Sequence, residues 1–70
     1  MDTAKIRLGQ QIRKLRVKAG LTQEKLATAV DIDYKYLQKI EGKNPPAVRI
    51  DTIEKIAKAL KTTPSKLLDF

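Results

Sequence analysis

The sequence predicts an all-α fold, a compact five-helix bundle, and three observations carry that prediction. Apolar residues recur at helical spacing along most of the chain. The alternation of β-branched residues that marks strands is nowhere sustained. Only three Gly and three Pro occur, and most fall between the apolar stripes, where they punctuate helices. Seventy residues make one small domain, 1–70, with no length for a second core.

The first helix is written by Leu8, Ile12, Leu15 and Ala19, a one-sided stripe that Gly20 ends as a C-cap. Met1 to Lys5 precede the stripe and are expected to fray. Thr22 is a good N-cap for a second helix, with Leu26, Ala27 and Val30 inward and Glu24 in its positive first turn. Asp33 caps a third, in which Leu37 and Ile40 face the core. Gly42 and the run Lys43-Asn44-Pro45-Pro46 close it and make a loop. A fourth helix starts near Arg49 to Asp51 and carries Ile53, Ile56, Ala57 and Leu60 on one face. Thr63 and Pro64 signal the last, followed by Leu67 and Leu68. The expected core is Leu8, Ile12, Leu15, Leu26, Ala27, Val30, Ile32, Leu37, Ile40, Ile53, Ile56, Ala57 and Leu60.

Composition excludes several functions. With no Cys there is no disulfide, zinc finger or thiol nucleophile, and with no His the commonest general base and metal ligand are missing. An enzyme, a metal site and a cofactor are therefore not expected, nor is a small-molecule ligand. No apolar run approaches the roughly 20 residues of a membrane span, and no signal peptide is recognisable, so a cytoplasmic protein is expected. Fifteen Lys and Arg against eight Asp and Glu leave a net charge of +7. On so small a body that charge favours an anionic partner, nucleic acid before an acidic membrane surface.

The spacing between the second and third helices narrows this further. Val30 ends one and Asp33 caps the next, so two short helices turn sharply on each other, with Asp31 at a position needing positive φ. A tight helix-turn-helix in a strongly basic chain points to DNA binding; a helical corner in a protein-interaction module is the alternative.

At this point the sequence resembles the Cro/CI-repressor type of helix-turn-helix protein, the XRE family. Gly20-Leu21-Thr22-Gln23-Glu24-Lys25-Leu26-Ala27 matches the family's G-x-[TS]-Q-x-x-[LV]-A. Tyr36-Leu37-Gln38-Lys39-Ile40-Glu41-Gly42 resembles Y-[IL]-x-x-[IW]-E-x-G, and Ile53-Glu54-Lys55-Ile56-Ala57-Lys58-Ala59-Leu60 resembles L-x-K-I-A-x-A-L. The likeness runs from about residue 7 to 69. Two features depart from the family pattern. Asp31 stands where Gly is usual, and the loop after Gly42 is about two residues longer than usual.

The resemblance implies a lambda-repressor-like fold and a residue-by-residue assignment. The third helix becomes the recognition helix, with Tyr34, Lys35, Gln38 and Lys39 as base-contact candidates. Lysine suits guanine O6 and N7, glutamine suits adenine, and Tyr34 suits a sugar or a thymine methyl. Asp33, which shares that face, is read as a cap rather than a base contact. Thr22, Gln23, Lys43 and Asn44 are phosphate-contact candidates, with Arg49 possible at the backbone or minor groove. Tyr36 is read as packing, and Arg13, Lys14 and Lys18 as general field charges. Arg16 and Glu41 match a partly buried ion pair that ties the first helix to the end of the third.

Leu67, Leu68 and Phe70 crowd the chain end and are dimer-interface candidates, since in the family this region commonly pairs subunits about a two-fold axis; completion of the monomer core is the alternative for them. The resemblance thus implies a small transcriptional regulator that binds double-stranded DNA as a homodimer, similar to phage repressors and to restriction–modification controllers. An antitoxin or assembly module with a protein as main partner is the alternative function.

Overall fold

The computed structural model describes residues 3–70 and contains α1 (Thr3–Lys18), α2 (Gln23–Ala29), α3 (Tyr34–Ile40), α4 (Ile50–Ala59) and α5 (Pro64–Leu67). No strand occurs among the described residues. Of the stretch expected to fray, Met1 and Asp2 lie outside the described residues. Thr3 to Lys5 are already helical, as the first turn of α1.

Helices α2 and α3 are seven residues each. That is too short for helicity in isolation, so tertiary packing and caps hold them. Thr22 Oγ1 accepts from the Lys25 amide at 3.1 Å, and Asp33 Oδ1 accepts from the Lys35 amide at 2.9 Å. Thr63 Oγ1 accepts from the Lys66 amide at 3.3 Å, with Pro64 in the first turn of α5. Helix α4 begins differently: Arg49 occupies its cap position with no side-chain cap bond, and Asp51 supplies negative charge to the first turn.

Three helices stop in the same way, each on a residue with left-handed backbone. Gly20 after α1 has φ 75°, Asp31 after α2 has φ 56° and Lys61 after α4 has φ 57°. In each case the following amide reaches back to the helix: Leu21 to the Arg16 carbonyl at 3.1 Å, Ile32 to Ala27 at 3.0 Å, Thr62 to Ala57 at 2.9 Å. This is the Schellman arrangement, which satisfies carbonyls that would otherwise be orphaned at a helix end. Helix α3 lacks it, because Gly42, the residue after its cap Glu41, has no positive φ.

The core gathers Leu8 and Ile12 of α1, Leu26, Ala27 and Val30, Leu37 and Ile40, Ile53, Ile56, Ala57 and Leu60, and Leu67. Two residues expected inside, Leu15 and Ile32, are half-buried at its edge, and Ala19 is exposed. Leu67 corrects the dimer-interface assignment. It is 0% exposed, so it closes the monomer core and is not available to a second subunit. The short helix that carries it is tied down by Gln11, whose Nε2 donates to the Lys66 carbonyl at 3.2 Å. Gly9 is buried where α1 crosses the end of α3. Tyr36 packs against the core and donates its hydroxyl to the Ala47 carbonyl at 3.4 Å, fastening the long loop before α4.

Candidate nucleic-acid interface

The corner between α2 and α3 sets the site. The left-handed Asp31 reverses the chain, Ile32 returns to the core edge and Asp33 starts α3 at once. With Leu37 and Ile40 buried, helical periodicity leaves Tyr34, Lys35, Gln38 and Lys39 on the outer face, and all four are exposed.

Two open grooves collect the candidate residues. One brings Lys35, Gln38 and Lys39 of α3 together with Gly42, Lys43 and Asn44 of the following loop. Three lysines line it and no carboxylate does, so it concentrates positive potential. The other brings Thr22, Gln23 and Glu24 at the start of α2 together with Tyr34, Arg16 and Arg13. Arg13, expected only as a field charge, thus lies among the phosphate-contact candidates. Its position three residues before Arg16 on one helix is the signal that places it on the same face.

Glu41 knots three elements beneath this surface. Arg16 Nε donates to Glu41 Oε2 at 2.9 Å and Arg16 Nη2 donates to Oε1 at 3.0 Å, a bidentate pair. The side chains retain 11% and 2% exposure. Arg16 Nη1 also donates to the Leu21 carbonyl at 2.8 Å, and Gln23 Nε2 donates to Glu41 Oε1 at 3.1 Å. Among the described residues no buried side-chain polar atom lacks a partner. Gln23 is therefore not a free first-turn side chain. One of its amide hydrogens is held by Glu41, while its carbonyl and second N–H remain.

Thr22 is exposed and serves as the α2 cap, and the Asp33 carboxylate is held on the Lys35 amide. Arg49 leans on Asp51, Nε to Oδ1 at 3.4 Å, with both side chains largely exposed, a pair that constrains it weakly. At the chain end Leu68 and Phe70 keep 43% and 45% exposure. No described helix is long and apolar enough to cross a membrane.

A buried two-helix corner that presents one basic, capped helix to solvent defines a helix-turn-helix protein. The chain belongs to the helix-turn-helix family, whose model matches residues 12–67. It is 45% identical over 71 residues to the control protein C.BamHI of Bacillus amyloliquefaciens, covering 97% of this chain and 86% of that one. The restriction-modification controller protein C.AhdI from Aeromonas hydrophila is similar in structure, with a TM-score of 0.88 at 33% identity, covering 94% of this chain and 98% of that one. SinR, a master regulator for biofilm formation solved in complex with DNA, gives a TM-score of 0.83 at 29% identity over 89% of this chain and 98% of that one.

Proposed function

We propose that this chain is a sequence-specific double-stranded DNA-binding regulator of transcription, of the restriction–modification controller type, working as a homodimer on a palindromic operator in the cytoplasm. It is a binding protein rather than an enzyme. The observation that carries this reading is the convergence of Lys35, Gln38, Lys39, Lys43 and Asn44 on one groove free of carboxylates.

In this reading α3 enters the major groove, where Lys35, Gln38 and Lys39 address base edges and Tyr34 meets sugar or a thymine methyl. Lys43 and Asn44 hold phosphate on one side. Thr22, Gln23 and Arg13 hold it on the other. Phosphate contacts supply affinity and register; the α3 face supplies sequence preference.

Size supports dimerisation. The chain spans 30 × 24 × 21 Å and presents a single α3. Successive major-groove faces on one side of B-DNA lie roughly 34 Å apart, so one copy reads one half-site. At the chain end, Leu68 and Phe70 are exposed apolar residues that a two-fold partner would cover.

Selection from randomised duplex DNA, with the winners retested by fluorescence anisotropy across salt, tests the reading. A palindrome with half-sites about one helical turn apart is expected. With about five phosphates neutralised per subunit, the log–log salt slope should be near about −9. Failure to enrich any sequence, with affinity erased at physiological salt, would overturn it and favour a module whose main partner is a protein.

A further inference from the structure

A further cleft shares no residue with the α3 groove and meets the groove at the start of α2 only at Leu21. It opens between the C-terminal end of α1, the C-terminal end of α4 and α5, and it includes no residue of α2, α3 or the loop between α3 and α4. Its floor is apolar, formed by Leu15, Leu21 and Leu60, and its rim carries Lys18, Lys61 and Lys66. No acidic side chain lines it, and none of the three lysines makes an ion pair among the described residues.

We propose that this cleft is a docking site for an acidic, leucine-bearing segment of a partner protein, an interaction separate from DNA binding. Charge complementarity selects the partner's sign. Three unpaired ammonium groups around one depression attract carboxylates. The floor selects peptide over phosphate. Leu15 and Leu21 are half-buried at the edge of the core, so a side chain seated between the lysines removes apolar surface from water, which a phosphate backbone cannot do. The α3 groove is equally rich in lysine, yet no Leu, Ile, Val or aromatic side chain lines it. Its carbon surface belongs to flexible lysine and glutamine stems, whereas the cleft offers leucine side chains fixed at the core edge, a firmer seat for a partner's leucine.

Lys61 occupies a left-handed position where glycine is the unstrained choice, and it adds its ammonium to the rim.

The test is a titration of the uniformly 15N-labelled chain with the capped peptide acetyl-Glu-Asp-Leu-Leu-Asp-Glu-amide, followed amide by amide. Shifts are expected at Leu15, Lys18, Ala19, Leu60 and Lys61. A Lys18→Ala, Lys61→Gly, Lys66→Ala variant should lose about tenfold in affinity, as removal of three exposed charges implies. Lys61→Gly relieves backbone strain, and the other two side chains are exposed, so the variant keeps its fold and its circular dichroism spectrum. Replacing both leucines of the peptide with serine should weaken binding by a similar factor.

Shifts confined to α3 and to Lys43 and Asn44 would overturn the proposal. So would equal binding of the serine peptide, or stronger perturbation of the same cleft by a DNA duplex, which would make the surface a nucleic-acid contact. The peptide titration contains no DNA, so its failure leaves the DNA-binding reading standing, and the duplex arm only relocates a contact.

Discussion

Gly9 of α1 faces the Ile40 carbonyl at the end of α3 so closely that a Cβ on residue 9 would overlap the oxygen and crowd the Ile40 carbonyl carbon at 3.1 Å. The obstruction is backbone, which cannot rotate away. Gly9→Ala should therefore push α1 off α3 and cost about 1–3 kcal/mol or more through overpacking. Urea denaturation measures this; an unchanged midpoint would mean that the crossing is looser than described.

Arg16→Ala and Glu41→Ala each strand a partner in a nearly closed site, the second also releasing Gln23. Each should cost roughly 3–5 kcal/mol. For a domain of this size that lowers Tm by more than about 12 °C. Thermal melts by circular dichroism decide, and a shift of only a degree or two would refute the pairing.

Lys61→Gly and Asp31→Gly remove a Cβ from left-handed backbone. Strain relief exceeds the added freedom of the unfolded chain, giving a net gain of about 0.5–1 kcal/mol each. Gly20→Ala runs the other way, at a site with open space but φ 75°, and should cost about 1 kcal/mol. Opposite signs in the three melts are the signature.

Leu67 and its neighbours should separate cleanly. Leu67→Ala opens the monomer core and should cost about 2–5 kcal/mol. Leu68→Ser with Phe70→Ser should leave monomer stability nearly unchanged and lower the dimer fraction in sedimentation at micromolar concentration. An unaltered dimer would move the two-fold surface elsewhere.

On an enriched operator, Lys35→Ala and Gln38→Ala should each cost about 1–3 kcal/mol and relax preference at particular base pairs. Lys43→Ala should weaken all duplexes alike and reduce the salt slope by about 1 per subunit. Anisotropy with single-base operator variants distinguishes the two patterns.

Features governed by local chemistry were legible in the sequence. Thr22, Asp33 and Thr63 announce helix starts because a side-chain oxygen next to free amides acts over two or three residues. Asp31 was readable as left-handed because a fixed two-helix spacing demanded a reversal there. Lys61 was not, since nothing in a lysine signals positive φ and the constraint comes from how α4 meets α5. The same holds for Gly9, an ordinary small residue within an apolar stripe until α3 is laid across it. Leu67 looked like interface because apolar residues at a chain end have no visible neighbours in one dimension; Gln11 and the α1 surface supply them. The bond from Gln23 to Glu41 spans eighteen positions and depends on the assembled corner.

None of Tyr34, Lys35, Gln38 and Lys39 belongs to the core, and the turn that aims them is made by main-chain hydrogen bonds around Asp31. Scaffold and alphabet are thereby uncoupled. In the proposed reading of α3 as the recognition helix, a lineage can rewrite its four outward letters to follow a drifting operator while the corner beneath them stays as it is, so divergence in target preference needs no compensating change in the fold.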